Sequence, residues 1–386
     1  MTTHPTPPHI IIVGAGIIGL SHAVAALDAG YLVTVLDRDS RAVGASIRNF
    51  GHLGFGAHGG ALAELADQAR PRWIELARRA GIPLHHTGTL VLARDEVERA
   101  VLSEVCATER FVNARSVDAA AAAHLLGRPA IDPESAGLLV PGDLTVNPRE
   151  AVGALAGWVH AHPNGEVRWG VSVHDVSTGT VATSQGPLSA DHIIVTTGHR
   201  LGELFPEIAA LHGLGECALQ MLRIRTPHIC GPGPAVLTGT SMLRYSAFAG
   251  PAAARLRVHL DQSRPDLREI DANVMLTRHT DGSLLIGDTH RVDSATPPFL
   301  DERWSRIILE EITAILGAGP PEVVERWQGI YAHSPTHDIV DARPLPGVSV
   351  LTLGTGIGMT LGPALGSRTI HALTESLPPT THRGES

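Results

Sequence analysis

The chain contains no lysine: all 30 of its basic residues are arginine, accompanied by 22 histidines. That absence excludes catalysis through a lysine Schiff base, a Walker-type phosphate lysine and a lysine ammonium as electrostatic catalyst. Positive charge is also in deficit, since 39 acids against 30 arginines leave −9 with histidine neutral. Nucleic acid is therefore not an expected partner, because phosphate binding needs a basic face. Cysteine is scarce, and Cys106, Cys217 and Cys230 lie far apart with no CxxC. No disulfide framework or zinc ribbon follows from them, and a reducing, cytoplasmic setting is expected. Long apolar runs are missing as well. Met1 to His9 lacks a positive leader region, and the run that follows is interrupted by Gly14, Gly16 and Gly19, so neither a signal peptide nor a membrane span is expected. There is no EF-hand loop and no GxSxG, so neither a metal site nor a serine nucleophile is expected. At 386 residues the chain is long enough for two or three structural units.

Against these absences one local pattern is strong. His9 to Val13 reads as a strand buried on both faces, followed at once by Gly14-Ala15-Gly16-Ile17-Ile18-Gly19. Leu20 to Ala29 reads as a helix closed by Gly30, and Tyr31 to Leu36 as a second strand ending at Asp37. This is GxGxxG in its required strand–turn–helix context. Gly14 permits the tight turn, Gly16 lets backbone approach a pyrophosphate, and Gly19 lets helix pack on sheet. The helix start offers N–H groups and a positive dipole end to phosphate. Asp37 stands where a carboxylate accepts from both ribose hydroxyls, which disfavours a 2′-phosphate and leaves NAD and FAD.

Three further segments carry a resemblance. Gly44-Ala45-Ser46-Ile47-Arg48-Asn49 is small and polar, Ile193-Ile194-Val195-Thr196-Thr197-Gly198 is a strand ending in glycine, and Gly354-Thr355-Gly356-Ile357-Gly358-Met359-Thr360-Leu361 follows a strand at Val348 to Leu353. With the N-terminal motif and its acid, they resemble the FAD-dependent D-amino-acid oxidase superfamily, which includes glycine oxidase and monomeric sarcosine oxidase. The resemblance implies an α/β chain, with a Rossmann-type FAD-binding domain interleaved with an α+β substrate domain on a mostly antiparallel sheet. It implies that Ser46 touches the pyrophosphate and that Arg48 and Asn49 run beneath the cofactor toward the flavin. Val173, in Val171 to Val176, would clasp adenine, and Gly358, Met359 and Thr360 would face the flavin C2 oxygen. Ile17, Arg38, Gly198 and Gly356 join them as cofactor-site residues. No cysteine falls where sarcosine oxidase tethers its flavin, so FAD is expected to be non-covalent.

A narrower resemblance rests on Ser46-Ile47-Arg48-Asn49-Phe50-Gly51, Leu219-Gln220-Met221, the stretch from Asp281 through Gly287-Asp288-Thr289-His290, and Arg326-Trp327-Gln328-Gly329-Ile330-Tyr331. These are similar to a clade of FAD oxidoreductases associated with aminophosphonate breakdown, although His52-Leu53-Gly54-Phe55 departs from that clade. The implied substrate is a small anionic amine related to 2-aminoethylphosphonate. It would be oxidised by hydride transfer to flavin N5, the imine then hydrolysing, with O₂ or another acceptor taking the electrons. A glycine, sarcosine or D-amino-acid oxidase or dehydrogenase is the alternative, and a non-catalytic flavin-binding protein a second one.

The cofactor elements are expected at residues 1–80, 145–205 and 325–386, with 81–144 and 206–324 forming a substrate or lid domain. Within the insertions, Leu84 to Leu92 reads as a short strand pair and Ala119 to Ala123 as helix. Ala218 to Arg225, Leu256 to Leu260, Val274 to Thr280 and Ser283 to Gly287 read as strands, with an Asp281-Gly282 hairpin turn. Asp301 to Leu316 reads as a helix stopped by Gly317. An anionic substrate needs a cation, and arginine offers a bidentate fork. Arg244 is the first candidate, with Arg278 and Arg48 as others. His290 is a candidate for contact with the anion or the amine, the family resemblance places His333, just after Tyr331, over the flavin face, and Tyr331 or Trp327 is a candidate for bordering the ring.

Overall fold

A computed structural model of the chain describes residues 6–379 except 228, 230 and 318, so Cys230 lies outside the described residues. The α/β architecture expected from the motifs is present as two principal sheets. The first has six strands in the order Ile339–Leu345, Val348–Leu353, His192–Val195, His9–Val13, Leu32–Asp37 and Gly165–Trp169. Its last five strands are parallel, and Ile339–Leu345 adds an antiparallel edge. Alternation along the central strand explains why it reads as an unbroken apolar run. Ile10 and Ile12 pack against helices, whereas Ile11 and Val13 face a layer that includes Val176 and Val181. Those two valines belong to a three-stranded meander, Val173–Ser177, Thr180–Thr183 and Gly186–Ser189. A strand covered on both sides has no polar face to show in sequence.

The helices Ile17–Asp28 and Gly358–Ser376 lie side by side over this sheet. Small residues allow the approach: a Cβ on Gly366 would come within 2.5 Å of the Ser21 carbonyl oxygen. The long helix Ala61–Ala80 is fastened to them by Trp73, fully buried, whose Nε1 donates to the Met359 carbonyl at 2.6 Å.

The second sheet has nine strands and is antiparallel apart from one parallel pair, Ala235–Leu237 with Thr89–Ala93. Its strands come from both expected insertions, and the long strand Glu322–His333 also belongs to it, antiparallel to Gly215–Arg225. Two local expectations are corrected. Leu256 to Leu260 is helical, within Pro251–Ser263. The alternation of Leu256, Val258 and Leu260 with Arg257 and His259 imitates a strand, but Pro251 opens a helix whose buried residues Ala252, Leu256 and Leu260 recur every four, leaving Val258 exposed. The strands Leu84–His85 and Thr89–Ala93 do not pair with each other: the first pairs with Leu144–Val146 and the second with Ala136–Val140. Elsewhere the local signals hold. Asp301 caps the helix Glu302–Leu316, accepting from the Arg303 amide, and Gly317 closes it in the left-handed conformation.

Candidate active site

Where the two sheets meet, a cavity of about 900 Å³ runs from Asp37 and Val173 at one end to Arg244, Asp288 and His290 at the other. Its first half is built from strand ends and loops of the six-stranded sheet. Gly14, at φ +107°, makes the turn, and a Cβ there would lie 2.8 Å from the Thr196 carbonyl oxygen. Gly16 has Ser46 Oγ against it, and that oxygen accepts from the Ile17 amide at 2.9 Å. Asp37 accepts from the Ala15 amide at 2.8 Å and the Asp39 amide at 3.0 Å. Burial raises its pKa, with these two donors opposing the shift. Each carboxylate oxygen keeps lone-pair capacity for a further donor.

The residues fit FAD. Two helices, Ile17–Asp28 and Gly358–Ser376, begin on this cavity; neither is capped by the side chain of its own N-cap residue or has an acid in its first turn, and Ser46 Oγ takes only the Ile17 amide of the first. Their orphan N–H groups and positive dipole ends suit a diphosphate and an electron-rich ring edge, which a lysine-free chain has to meet by such means. Gly44 and Gly198 also line the cavity, and a Cβ on either would meet nothing within 4 Å.

Of the expected cofactor residues, Gly14, Gly16, Ile17, Asp37, Arg38, Ser46, Arg48, Asn49, Val173, Gly198, Gly356, Gly358, Met359 and Thr360 all line the cavity. Gly19 does not; it sits behind the turn, where a Cβ would fall 1.9 Å from the Gly14 carbonyl oxygen. Asn49 spends its side chain on its own loop, donating to the Ala45 and Ser46 carbonyls and accepting from the Gly51 amide. Arg38 pairs with Glu203 at 3.6 Å.

The second half of the cavity gathers side chains from separated segments. Arg244 and Tyr245 follow the short helix Gly239–Met242, Asn273 precedes and Met275 opens the strand Met275–Arg278, Asp288 and His290 follow the strand Ser283–Gly287, and Tyr331 comes from Glu322–His333. Among the four expected catalytic residues, Arg244, His290 and Tyr331 are thus brought together, whereas His333 lies outside the lining at the end of its strand. Trp327 and Arg278 are also outside it. Trp327 donates to the Arg48 carbonyl at 3.2 Å from behind, and Arg278 points to a separate small pocket and donates to the Leu125 carbonyl.

Burial decides which of these groups carry charge. His290 is held well below the usual imidazole range by desolvation, so its ring is neutral. Desolvation raises the phenols, Tyr245 to about 12 and Tyr331 well above its ordinary value. Arg244 donates to Asp271 at 3.3 Å. Asp288 is 4 % exposed, and burial pushes its carboxyl up to about 7 against the pull of Arg244. The sequence contained Asp288 inside a resembling segment without giving it a task. The signal was an acid placed directly after an apolar strand, two positions before a candidate histidine.

With that geometry in view, the chain matches the family described as "DAO: FAD dependent oxidoreductase" over residues 9–372, and it belongs to that family. It is an FAD-dependent oxidoreductase. A curated relative, the tRNA 5-methylaminomethyl-2-thiouridine biosynthesis bifunctional protein MnmC of Chromohalobacter salexigens, is 29% identical over 260 residues. That match takes in 60% of this chain but only 34% of the relative's length. Among solved structures, glycine oxidase from Geobacillus kaustophilus is similar with a TM-score of 0.73 at 18% identity, covering 96% of this chain and 95% of that one. The L-alpha-glycerophosphate oxidase of Mycoplasma pneumoniae, solved with FAD bound, gives 0.75 at 19% identity, covering 98% and 97%. At such identities these two likenesses speak to the fold. Among the described residues no helix is long and apolar enough to cross a membrane.

The cradle makes a first prediction. Asp37→Ala removes a charged acceptor and leaves the Ala15 amide without its partner. FAD affinity should fall about ten- to a hundredfold, since hydrogen bonds to charged groups contribute about 1.5–3 kcal/mol. Titration of the apoprotein with FAD, followed by flavin fluorescence, checks it.

Proposed function

We propose that the chain oxidises the C–N bond of a small anionic amine, with Arg244 taking the anionic group. The observation that carries this reading is the continuity of one cavity from the glycine cradle to Arg244. When bound, FAD supplies the two-electron oxidation of the carbon bearing nitrogen. The protein's part is to hold the amine beside the cofactor and to keep bulk water away. Phe50, Leu219 and Met275 contribute apolar wall, and Tyr331 stands beside Gly356, whose Cβ position is 3.5 Å from the phenol ring. The imine product takes up water to give an aldehyde or oxo-acid plus an amine or ammonia, and the electrons pass to O₂ or another acceptor. In this reading the six-stranded sheet and its loops bind FAD non-covalently, and the nine-stranded sheet closes the substrate end. No cysteine lines the cavity among the described residues, which supports the non-covalent reading.

Within that class we propose an aminophosphonate related to 2-aminoethylphosphonate. Each of the four segments that resemble the aminophosphonate clade contributes to the cavity wall, through Arg48, Leu219, His290 and Tyr331 respectively. A guanidinium presents a planar fork of N–H donors to phosphonate or carboxylate alike. The names of the similar proteins point both ways, to an amino acid in glycine oxidase and to a phosphate ester in glycerophosphate oxidase. Substrate profiling decides. The purified protein should be yellow, acid precipitation should release the flavin into solution, and anaerobic addition of 2-aminoethylphosphonate or its N-methyl or 1-hydroxy derivative should bleach it. Bleaching by glycine, sarcosine or D-alanine alone would replace phosphonate by carboxylate. A yellow protein that no amine bleaches would overturn the amine reading.

A further inference from the structure

At the substrate end of the cavity two hydrogen-bond acceptors face one another with no hydrogen between them, and the Asn273 side chain, which helps to hold the Asp288 pKa down, faces the same carboxyl. Asp288 Oδ2 lies 3.6 Å from His290 Nε2, and Asp288 Oδ1 is buried with no hydrogen-bond partner among the described residues. The other ring nitrogen, His290 Nδ1, sits 2.9 Å from the Asp271 carbonyl oxygen. A carbonyl only accepts, so Nδ1 carries the hydrogen, and in the neutral ring Nε2 presents a lone pair. The backbone holds this arrangement in place. Asp288 and Asn273 exchange both N–H···O bonds at 2.8 Å, and the His290 amide donates to the Ile270 carbonyl at 3.1 Å. A buried carboxylate oxygen without a donor is costly, and it is tolerated where a ligand supplies the missing hydrogen.

We infer that Asp288, with His290 Nε2 beside it, receives the substrate's ammonium group and accepts one proton from it. The inference rests on the amine reading above and assigns to the amine a position opposite the anion-binding Arg244. In the step, one N–H bond of the ammonium breaks, the proton forms an O–H bond on Asp288, and the pair of electrons stays on nitrogen. The amine is then neutral, as loss of hydride from the adjacent carbon requires. A carboxyl whose pKa lies near the working pH is suited to holding that proton, and burial places Asp288 at about 7. The charged and titratable groups around it are Arg244 and Tyr245 on one side, Asp271 on a second, and Tyr331 and Cys217 from the two long strands. Of these, burial keeps the phenols and the thiol neutral, and Asp271 is paired with Arg244.

The test uses the holoenzyme and reads binding through the visible spectrum of the bound flavin, with probes that have no hydrogen on the carbon bearing nitrogen. These are 2-amino-2-methylpropylphosphonate and 2-aminoisobutyrate, compared with the amine-free 2-methylpropylphosphonate and isobutyrate. The amine-bearing probes should bind about tenfold more weakly for each pH unit below 7, as Asp288 takes up its proton, and with constant affinity just above 7. The amine-free probes should do the reverse, tightening as pH falls. In Asp288→Asn, amine-bearing probes should lose about a hundredfold in affinity together with their pH dependence, and amine-free probes should bind at every pH as tightly as they bind the wild type below pH 7. Amine-bearing probes that bind equally well, with the same pH profile, in both proteins would overturn the role of Asp288 and leave the amine reading standing. If only amine-free probes bind and no amine bleaches the flavin, the amine reading itself fails. Should Asp288→Asn not retain FAD, the wild-type comparison decides alone: parallel pH profiles for the two probe classes overturn the inference.

Discussion

Arg244→Gln should lower kcat/KM for the anionic amine by about thirtyfold to several thousandfold, because truncating one partner of a desolvated charge pair costs about 2–5 kcal/mol. The protein should remain yellow, since Arg244 stands at the far end of the cavity from the glycine cradle. Most of the loss should fall on KM, because an interaction with a group that does not react is made equally in the ground and transition states. The substitution has a second, signed consequence. The guanidinium pulls the Asp288 pKa down from the higher value that burial alone would impose. Removing that charge lets the carboxyl rise above about 7, so the acid limb of the pH–rate profile, where Asp288 must be ionised to accept a proton, should move to higher pH. Arg244→Lys should recover part of the affinity through its point charge, but not the two-pronged geometry. Steady-state kinetics over a pH series measure both effects. An unchanged KM would take the anion away from Arg244 and give it to Arg48, another arginine of the cavity wall, whose guanidinium already donates to the Gln328 carbonyl.

The cofactor half of this site was legible in the sequence because its information is local. Gly14, Gly16, Gly19 and Asp37 fall within one strand–helix–strand unit, and each glycine is required by an atom of that unit or its neighbour. The substrate half was not legible in the same way. Arg244, Asn273, Asp288 and Tyr331 come from four segments whose meeting depends on sheet register. Gly287 pairs with Met221 on one side and Met275 on the other, and this carries Asp288 to the point where the strand leaves the sheet beside Asn273. A spacing rule has no access to such long-range pairings. His333 illustrates the limit. Two residues from Tyr331 it shares that strand face in sequence, yet it lies opposite Gly215 at the strand's end, outside the cavity wall.

The missing lysine reads differently once burial is known. With no lysine in the chain, positive charge near the flavin has to come from arginine, protonated histidine or helix N-termini. Desolvation removes His290 from that group by keeping its ring neutral. The cavity wall carries the guanidinium groups of Arg38, Arg48, Arg200 and Arg244, and the two helix starts add partial positive charge. Charge state in a buried site depends on depth and neighbours, and neither is written in residue counts.

Gly19→Ala should cost the protein both its cofactor and a large part of its stability. The added methyl would lie 1.9 Å from the Gly14 carbonyl oxygen and 2.7 Å from Thr196 Oγ1. Neither neighbour can move alone. The Gly14 carbonyl belongs to the turn whose amide donates to the Leu36 carbonyl, and Thr196 Oγ1 donates to the Val13 carbonyl at 3.0 Å. The helix must therefore lift from the sheet, taking with it the Ile17 amide and the phosphate-facing turn, at about 3 kcal/mol or more for overpacking against backbone. Loss of FAD then adds to the destabilisation, because a ligand that binds only the folded state stabilises it by mass action. Gly366→Ala separates the two effects. Its Cβ would meet the Ser21 carbonyl oxygen at 2.5 Å, on the far side of the same helix and outside the cavity lining. That variant should melt at a lower temperature and still purify yellow, whereas Gly19→Ala should purify colourless and melt below the wild-type apoprotein. Thermal melts with and without added FAD, together with the flavin-to-protein absorbance ratio, distinguish the cases. A yellow Gly19→Ala with an unchanged melting temperature would mean that the helix slides to admit the methyl, and that close helix–sheet contact is not what the third glycine of the motif protects.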